Sequence, residues 1–310
     1  MRRVRDCERW GPAKTYGSVA DFLAARPAAG LNSVEVGGRY LDVLVEDRKS
    51  PVTIVAFHSA LTKSVKAMPA FSGRQVAAAA GVNLVAVSDP TIEMGDIDLA
   101  WFFGNRDTGP LVEVFAPLIK HAARSLRSRR IILFGSSGGG YAAINFGSQF
   151  PGAIVLALNP RLDLAGPPLP NFDPYFEIGH GSLDDSSRHV IFDKFISPSM
   201  RQKYASGLPF HLCIFQNTGD HYFKKQFEPF VEGLAGDDWL HVRTEYTGKG
   251  HGAVPKQVLS EMISGLTRPG AVRDSIRAAG FVTPEGGHAV SAGSRIQRFG
   301  HSLKRLFISY

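Results

Sequence analysis

Residues 130–141 read Arg-Ile-Ile-Leu-Phe-Gly-Ser-Ser-Gly-Gly-Gly-Tyr. An apolar β-type run, Ile131 to Phe134, stops at Gly135. Ser137 follows, with glycines two positions to either side at 135 and 139, and Tyr141-Ala-Ala-Ile-Asn-Phe then suits a helix. A strand, a glycine turn and a helix in this order predict a turn sharp enough to strain the serine backbone. Side chains two residues away would collide in it. Such a turn lifts the Ser137 Oγ above the end of a sheet. It also aims the next backbone N–H, that of Gly138, at the space in front of the oxygen.

On either side of this stretch, short buried strands alternate with helices. Val52-Thr-Ile-Val-Ala-Phe, Val82-Asn-Leu-Val-Ala-Val, Ala153-Ile-Val-Leu-Ala-Leu, Phe210-His-Leu-Cys-Ile-Phe and Leu240-His-Val-Arg-Thr-Glu-Tyr read as strands. Helices are expected over 111–126, 139–148 and 223–234. Residues 33–47 alternate with period two around Gly37-Gly38, which reads as a hairpin. The predicted fold class is α/β, a mostly parallel central sheet with helices on both faces. Residues 161–209 break the alternation with Pro167-Pro-Leu-Pro-Asn-Phe-Asp-Pro-Tyr-Phe, which suggests a lid insertion with one or two short helices. The expected layout is an N-terminal extension over 1–32, a main domain over 33–267 and a basic appendage over 268–310. The appendage reads as a linker and then an amphipathic segment with apolar residues at 296, 299, 303, 306 and 307.

The chain has 310 residues, 44% of them hydrophobic, enough for a sizeable core. No run of about 18 apolar residues suggests a membrane span, and the Arg-rich start lacks the apolar stretch of a secretory signal. The two cysteines, Cys7 and Cys213, draw no disulfide framework or metal motif. Together these favour the cytoplasm. The net charge of +7 is concentrated near the N-terminus, at 124–130 and after Arg268. No nucleic-acid signature accompanies it, so a solvated surface is favoured over nucleic-acid recognition. The C-terminal segment suits peripheral contact with an anionic membrane or a partner as well as it suits docking on the domain itself. Oligomeric state is not legible.

A serine hydroxyl needs a base to take its proton, and the base needs an orienting acid. Two late strands run into Gln216-Asn-Thr-Gly-Asp-His and Thr247-Gly-Lys-Gly-His-Gly. In a parallel sheet these loops share one edge with Ser137. Asp220 is therefore the candidate acid and His251 the candidate base, with Asp163 the rival acid. On Gly135-Ser-Ser-Gly-Gly139, Asp220 and Gly250-His-Gly252, in that order, residues 33–265 resemble the α/β-hydrolase superfamily. The resemblance implies Ser137 as nucleophile, His251 as general base and then acid, and Asp220 as the orienting carboxylate. It implies no metal or organic cofactor. It also implies an oxyanion hole from the Gly138 N–H and an amide of the loop after the third strand, here Phe57-His-Ser-Ala. That loop carries Ser59 where the family has glycine, so Ala60 is favoured as the second donor and Ser59 comes next. His58 and Tyr141 are the candidates for substrate contact, although His58 also suits shaping the loop.

Other readings compete. A phosphate-binding loop needs Lys-Ser/Thr after its glycines, where this chain has Tyr141-Ala142. The acidic stretch Asp89, Glu93, Asp96 and Asp98 has no interleaved histidine and reads as a polar loop. Trp101-Phe-Phe, Phe172, Tyr175 and Phe176 suit pocket lining and core packing equally. The expected activity is hydrolysis of a small-molecule acyl ester. Acyl transfer to a sugar or alcohol, and a non-catalytic binding role, are the alternatives.

Overall fold

The computed structural model describes residues 3–285. Its nine-stranded sheet is built, in chain order, from β1 (Lys14–Tyr16), β2 (Gly30–Val36), β3 (Arg39–Glu46), β4 (Val52–Phe57), β5 (Asn83–Val87), β6 (Arg130–Ser136), β7 (Ile154–Leu158), β8 (His211–Asn217) and β9 (Leu240–Glu245). Across the sheet the order is β9-β8-β7-β6-β4-β5-β3-β2-β1. Only β3 runs antiparallel to its neighbours, as the return strand of the hairpin around Gly37-Gly38. Every residue of β4, β5, β7 and β8 is buried. The period-two alternation of a strand sends Val55 and Phe57 into one core, and Ile54 and Ala56 into the core on the opposite face. Burial on both faces explains why these strands are continuously apolar instead of alternating with polar residues.

Helix α1 (Leu111–Ser125) and helix α2 (Gly138–Gly147) pack on the Phe57 face, while α3 (Lys256–Leu266) and α4 (Val272–Ala278) contribute to the core on the other. Among the described residues, no helix is long and apolar enough to cross a membrane.

Two expected boundaries move. Residues 3–32 are not a separate extension, since β1 and the first three residues of β2 belong to the main sheet. Arg3 is buried, donating to Ile97 O at 2.7 Å and pairing with Asp98 at 2.6 Å, and Arg5 pairs with the buried Asp42 at 2.7 Å. Residues 268–285 are not a linker. Ile276 and Phe281 enter the core, and Val282 pairs with Val242. Their scattered apolar residues find partners on α3 and β9, which local composition does not reveal. The amphipathic segment after 293 lies outside the described residues.

The 161–209 insertion holds three short helices, Asp173–His180, Asp185–Phe195 and Met200–Lys203. It is bolted to the body by tyrosines. The Tyr175 hydroxyl donates to Gly104 O at 3.0 Å and that of Tyr204 to Ile144 O at 2.6 Å. Trp101, Phe102, Phe103, Tyr175 and Phe176 are all buried, so these aromatics are packing between insertion and body.

Candidate active site

Ser137 follows β6 and opens α2 with φ 51° and ψ −117°. A non-glycine residue in this region is strained, and the surroundings must hold it there. They do so through backbone. A Cβ added at Gly135 would lie 2.1 Å from Gly139 O, and one added at Gly139 would lie 2.5 Å from Phe57 O. The Ser137 N–H donates to Leu158 O at 2.9 Å, which ties the turn to β7.

Asp220 lies just beyond β8 and His251 beyond β9, at the same edge of the sheet as Ser137. The Ser137 hydroxyl donates to His251 Nε2 at 2.8 Å, and the His251 Nδ1–H donates to Asp220 Oδ2 at 2.6 Å. An ionised carboxylate only accepts, so this contact places the imidazole proton on Nδ1 and leaves Nε2 free to take the serine proton. The Asp220 side chain is wholly buried, and its Oδ1 accepts the Tyr222 N–H at 2.9 Å. Burial pushes its pKa upward, but the hydrogen bonds from His251 and Tyr222 outweigh that and hold it below the usual carboxylate range. His251 keeps 26% of its side-chain surface exposed and meets the Tyr222 ring edge-on at 5.1 Å. Three residues far apart in sequence thus form one hydrogen-bonded chain ending at a strained serine.

No protein-family model and no curated protein matches this chain. Solved structures do. A capsule O-acetyltransferase of Neisseria meningitidis serogroup A superposes over 75% of this chain and 92% of its own, with TM-score 0.50 and 16% identity. A monoacylglycerol lipase of Paleococcus ferrophilus (73% and 98% covered, TM-score 0.44, 16% identity) is also similar. So is the LpqC poly(3-hydroxybutyrate) depolymerase of Bordetella parapertussis (84% and 98% covered, TM-score 0.45, 16% identity). The chain has the α/β-hydrolase fold.

In this fold the loop after β4 faces the serine turn. Here it is held by an inward-turned imidazole. His58 Nδ1–H donates to Ser59 O at 2.9 Å, and Nε2 accepts the Asp89 N–H at 3.1 Å. Burial pushes the His58 pKa down to about 4, so the ring is neutral. Both ring nitrogens are occupied and the side chain is buried. The expectation that His58 contacts substrate is therefore corrected, and it shapes the loop instead. Tyr141 is corrected likewise, being fully buried with its hydroxyl donating to Ser197 O at 2.8 Å, where it braces the insertion. Its place one turn into α2 brings its hydroxyl to the insertion, at Ser197.

The Ser59 and Ala60 N–H groups meet no protein acceptor among the described residues, whereas that of Leu61 donates to Asp98 O at 2.9 Å. The Gly138 N–H belongs to the first turn of α2, where no intrahelical acceptor exists. Leu99 packs over Gly138 so closely that a Cβ there would lie 2.7 Å from its Cδ1. Asp163 is spent on its own turn, accepting the Ala165 and Gly166 N–H groups at 3.0 and 3.1 Å. Between the two candidate acids the structure brings only Asp220 to His251. In the acidic stretch, Asp89 accepts the Thr91 and Phe102 N–H groups, Glu93 pairs with Arg5 and Asp98 with Arg3. His221 stands 3.5 Å from Asp220 Oδ1 with its side chain 48% exposed.

Leu99, Tyr222, Asn159 and Asn217 border the site and carry no motif. The asparagines had one sequence signal, their position at the ends of buried strands β7 and β8.

Proposed function

We propose that this chain is a serine enzyme of acyl transfer acting on an ester-like substrate. The Ser137–His251–Asp220 hydrogen-bond chain, at 2.8 and 2.6 Å on a strained serine, carries the reading. Ser137 Oγ attacks the acyl carbonyl while His251 Nε2 takes its proton. Negative charge moves onto the carbonyl oxygen, which the Gly138 N–H and an N–H of Ser59 or Ala60 receive. Collapse of the tetrahedral species breaks the ester C–O bond, and His251 returns the proton to the departing alcohol. Acyl-Ser137 remains. An acceptor hydroxyl then gives its proton to His251 and attacks the acyl group; the bond from the acyl carbon to Ser137 Oγ breaks, and His251 hands the proton to Oγ, which regenerates the serine. Asp220 keeps the imidazole in the right tautomer and stabilises its protonated form.

Water as acceptor makes the protein an esterase. A sugar or alcohol hydroxyl makes it an acyltransferase, the activity in the name of the meningococcal neighbour.

A fluorophosphonate probe tests the serine. Wild type is expected to label and to turn over p-nitrophenyl acetate. Ser137→Ala is expected to label not at all and to lose turnover by about 10⁶-fold. A folded wild type that does not label would mean that the fold here serves binding and not catalysis.

A further inference from the structure

The loop that presents His251 has little to hold itself in place. Gly248, Gly250 and Gly252 alternate with Lys249 and His251, and a Cβ added at any of the three glycines would touch nothing within 4 Å. Gly248 and Gly250 sit at φ 129° and 90°. A glycine-rich segment without side-chain packing loses much backbone entropy on being fixed. Something outside the loop must supply the order that the 2.8 Å contact between His251 and Ser137 requires.

One backbone bond, from the Gly250 N–H to Gly219 O at 2.8 Å, contributes to it, and the side chains of Asn217 and Asn159 supply the rest. The Asn217 amide uses all of its bonding positions on the two loops that bear the acid and the base. Its Oδ1 accepts the Gly219 N–H at 3.0 Å and the Thr247 N–H at 3.0 Å. Its Nδ2 donates to Gly248 O at 2.9 Å and Gly250 O at 3.1 Å. Gly219 immediately precedes Asp220, and Gly250 immediately precedes His251. Asn159 grips the other side of the histidine. Its Nδ2 donates to Gly252 O at 3.0 Å, and its Oδ1 accepts the Asn217 N–H at 2.7 Å. Both asparagines are almost wholly buried, where every bond is strengthened and every lost partner is penalised. Asn159 also sits at φ 43°, in the left-handed region that asparagine tolerates better than most side chains.

We infer that Asn159 and Asn217 are the positioning residues of this site: a two-amide clamp that sets the distance from His251 to Ser137 and from Asp220 to His251. The inference rests on the serine acyl-transfer reading. Neither amide touches the reacting atoms. They act through the backbone on either side of the base.

The test is Asn217→Asp in the full chain. This near-isosteric change keeps an acceptor toward Gly219 and Thr247 but places an oxygen against the Gly248 and Gly250 carbonyls. Turnover of p-nitrophenyl acetate and the rate of fluorophosphonate labelling are measured beside thermal melting. A shift of the base by a fraction of an ångström predicts that kcat and the labelling rate fall about ten- to a hundredfold, with KM within about twofold. The control is Asn32→Asp in β2. Asn32 is likewise buried and bonded to backbone at Ala28, Gly30 and Val43, but it lies near the far edge of the sheet. It is expected to lower the melting temperature and leave kcat within about twofold. If Asn217→Asp does not fold, Asn159→Asp carries the same comparison, because it loses only the donor to Gly252 O. Wild-type kcat and labelling rate in a folded clamp variant would overturn the inference while leaving the serine reading intact. Absence of labelling in wild type would overturn both. A loss of kcat equal to that of the Asn32 control would reduce the clamp to a stabilising role and overturn it as well.

Discussion

Two segments border the Ser137 hydroxyl, and they are held by opposite means. The turn at 135–139 is shaped by what it lacks. Its glycines leave room for backbone, and a methyl group at 135 would land 2.1 Å from Gly139 O. The loop at 58–60 is shaped by what it contains, an imidazole turned inward and bonded at both nitrogens. The two meet at Gly139, whose missing side chain lets the turn rest against the carbonyls of Phe57 and His58. An arrangement made by steric exclusion leaves a mark in the sequence, because only glycine satisfies it. An arrangement made by a buried polar side chain leaves none, because that side chain reads as functional until its partners are seen.

The largest effect separates the two segments by chemistry. Ala60→Pro removes one loop N–H and leaves the turn untouched. If Ala60 donates to the oxyanion, kcat for p-nitrophenyl acetate falls about 10²- to 10³-fold at unchanged melting temperature. Retained activity would assign the donor to Ser59. Next, Gly139→Ala attacks the seam between them. A Cβ 2.5 Å from Phe57 O and 2.8 Å from His58 O cannot be relieved by a side-chain rotation. We expect a loss of about 3 kcal/mol in urea unfolding, the upper end of overpacking. A loss below about 0.5 kcal/mol would show that the seam is loose.

The smallest effect isolates the imidazole through pH. His58 has a folded pKa of about 4 against an ordinary 6.5. Between those values the unfolded chain binds a proton that the folded chain refuses, so its contribution to stability declines as pH falls from 6.5 toward 4. Asp89 works the other way. Burial pushes its pKa up to about 6, so the folded state takes up a proton first and gains stability as pH falls through that value. His58→Asn keeps Asp89 and removes the imidazole. It is expected to be less stable than wild type at pH 7, with the gap narrowing by about 2 kcal/mol at pH 5 in urea titrations. A gap constant with pH would mean that His58 is not held neutral.

The same contrast runs through the rest of the molecule. The hairpin around Gly37-Gly38, the buried run of β4 and the turn at Ser137 were legible because each states its conformation within a few residues, by period, by turn glycines or by apolar content. The edge strand Lys14–Tyr16 and the packing of 268–285 were not, because both are short and weakly patterned, and their partners lie elsewhere in the chain. Tyr141 illustrates the failure at the site. Its position beside the serine suggested contact with substrate, and only the folded insertion, reaching it through Ser197 O, shows where the hydroxyl is used.

Local patterning alone predicts a mostly parallel sheet with a serine raised at its edge, and an aspartate and a histidine within reach on two later strands. Local sterics and hydrophobic periodicity suffice for that. Only the folded chain shows which carboxylate meets the histidine, which side chains near the serine are already spent on the fold, and that two asparagines hold a glycine loop in place. Those are questions of hydrogen-bond partnership between segments tens of residues apart, and partnership exists only once the chain has closed on itself.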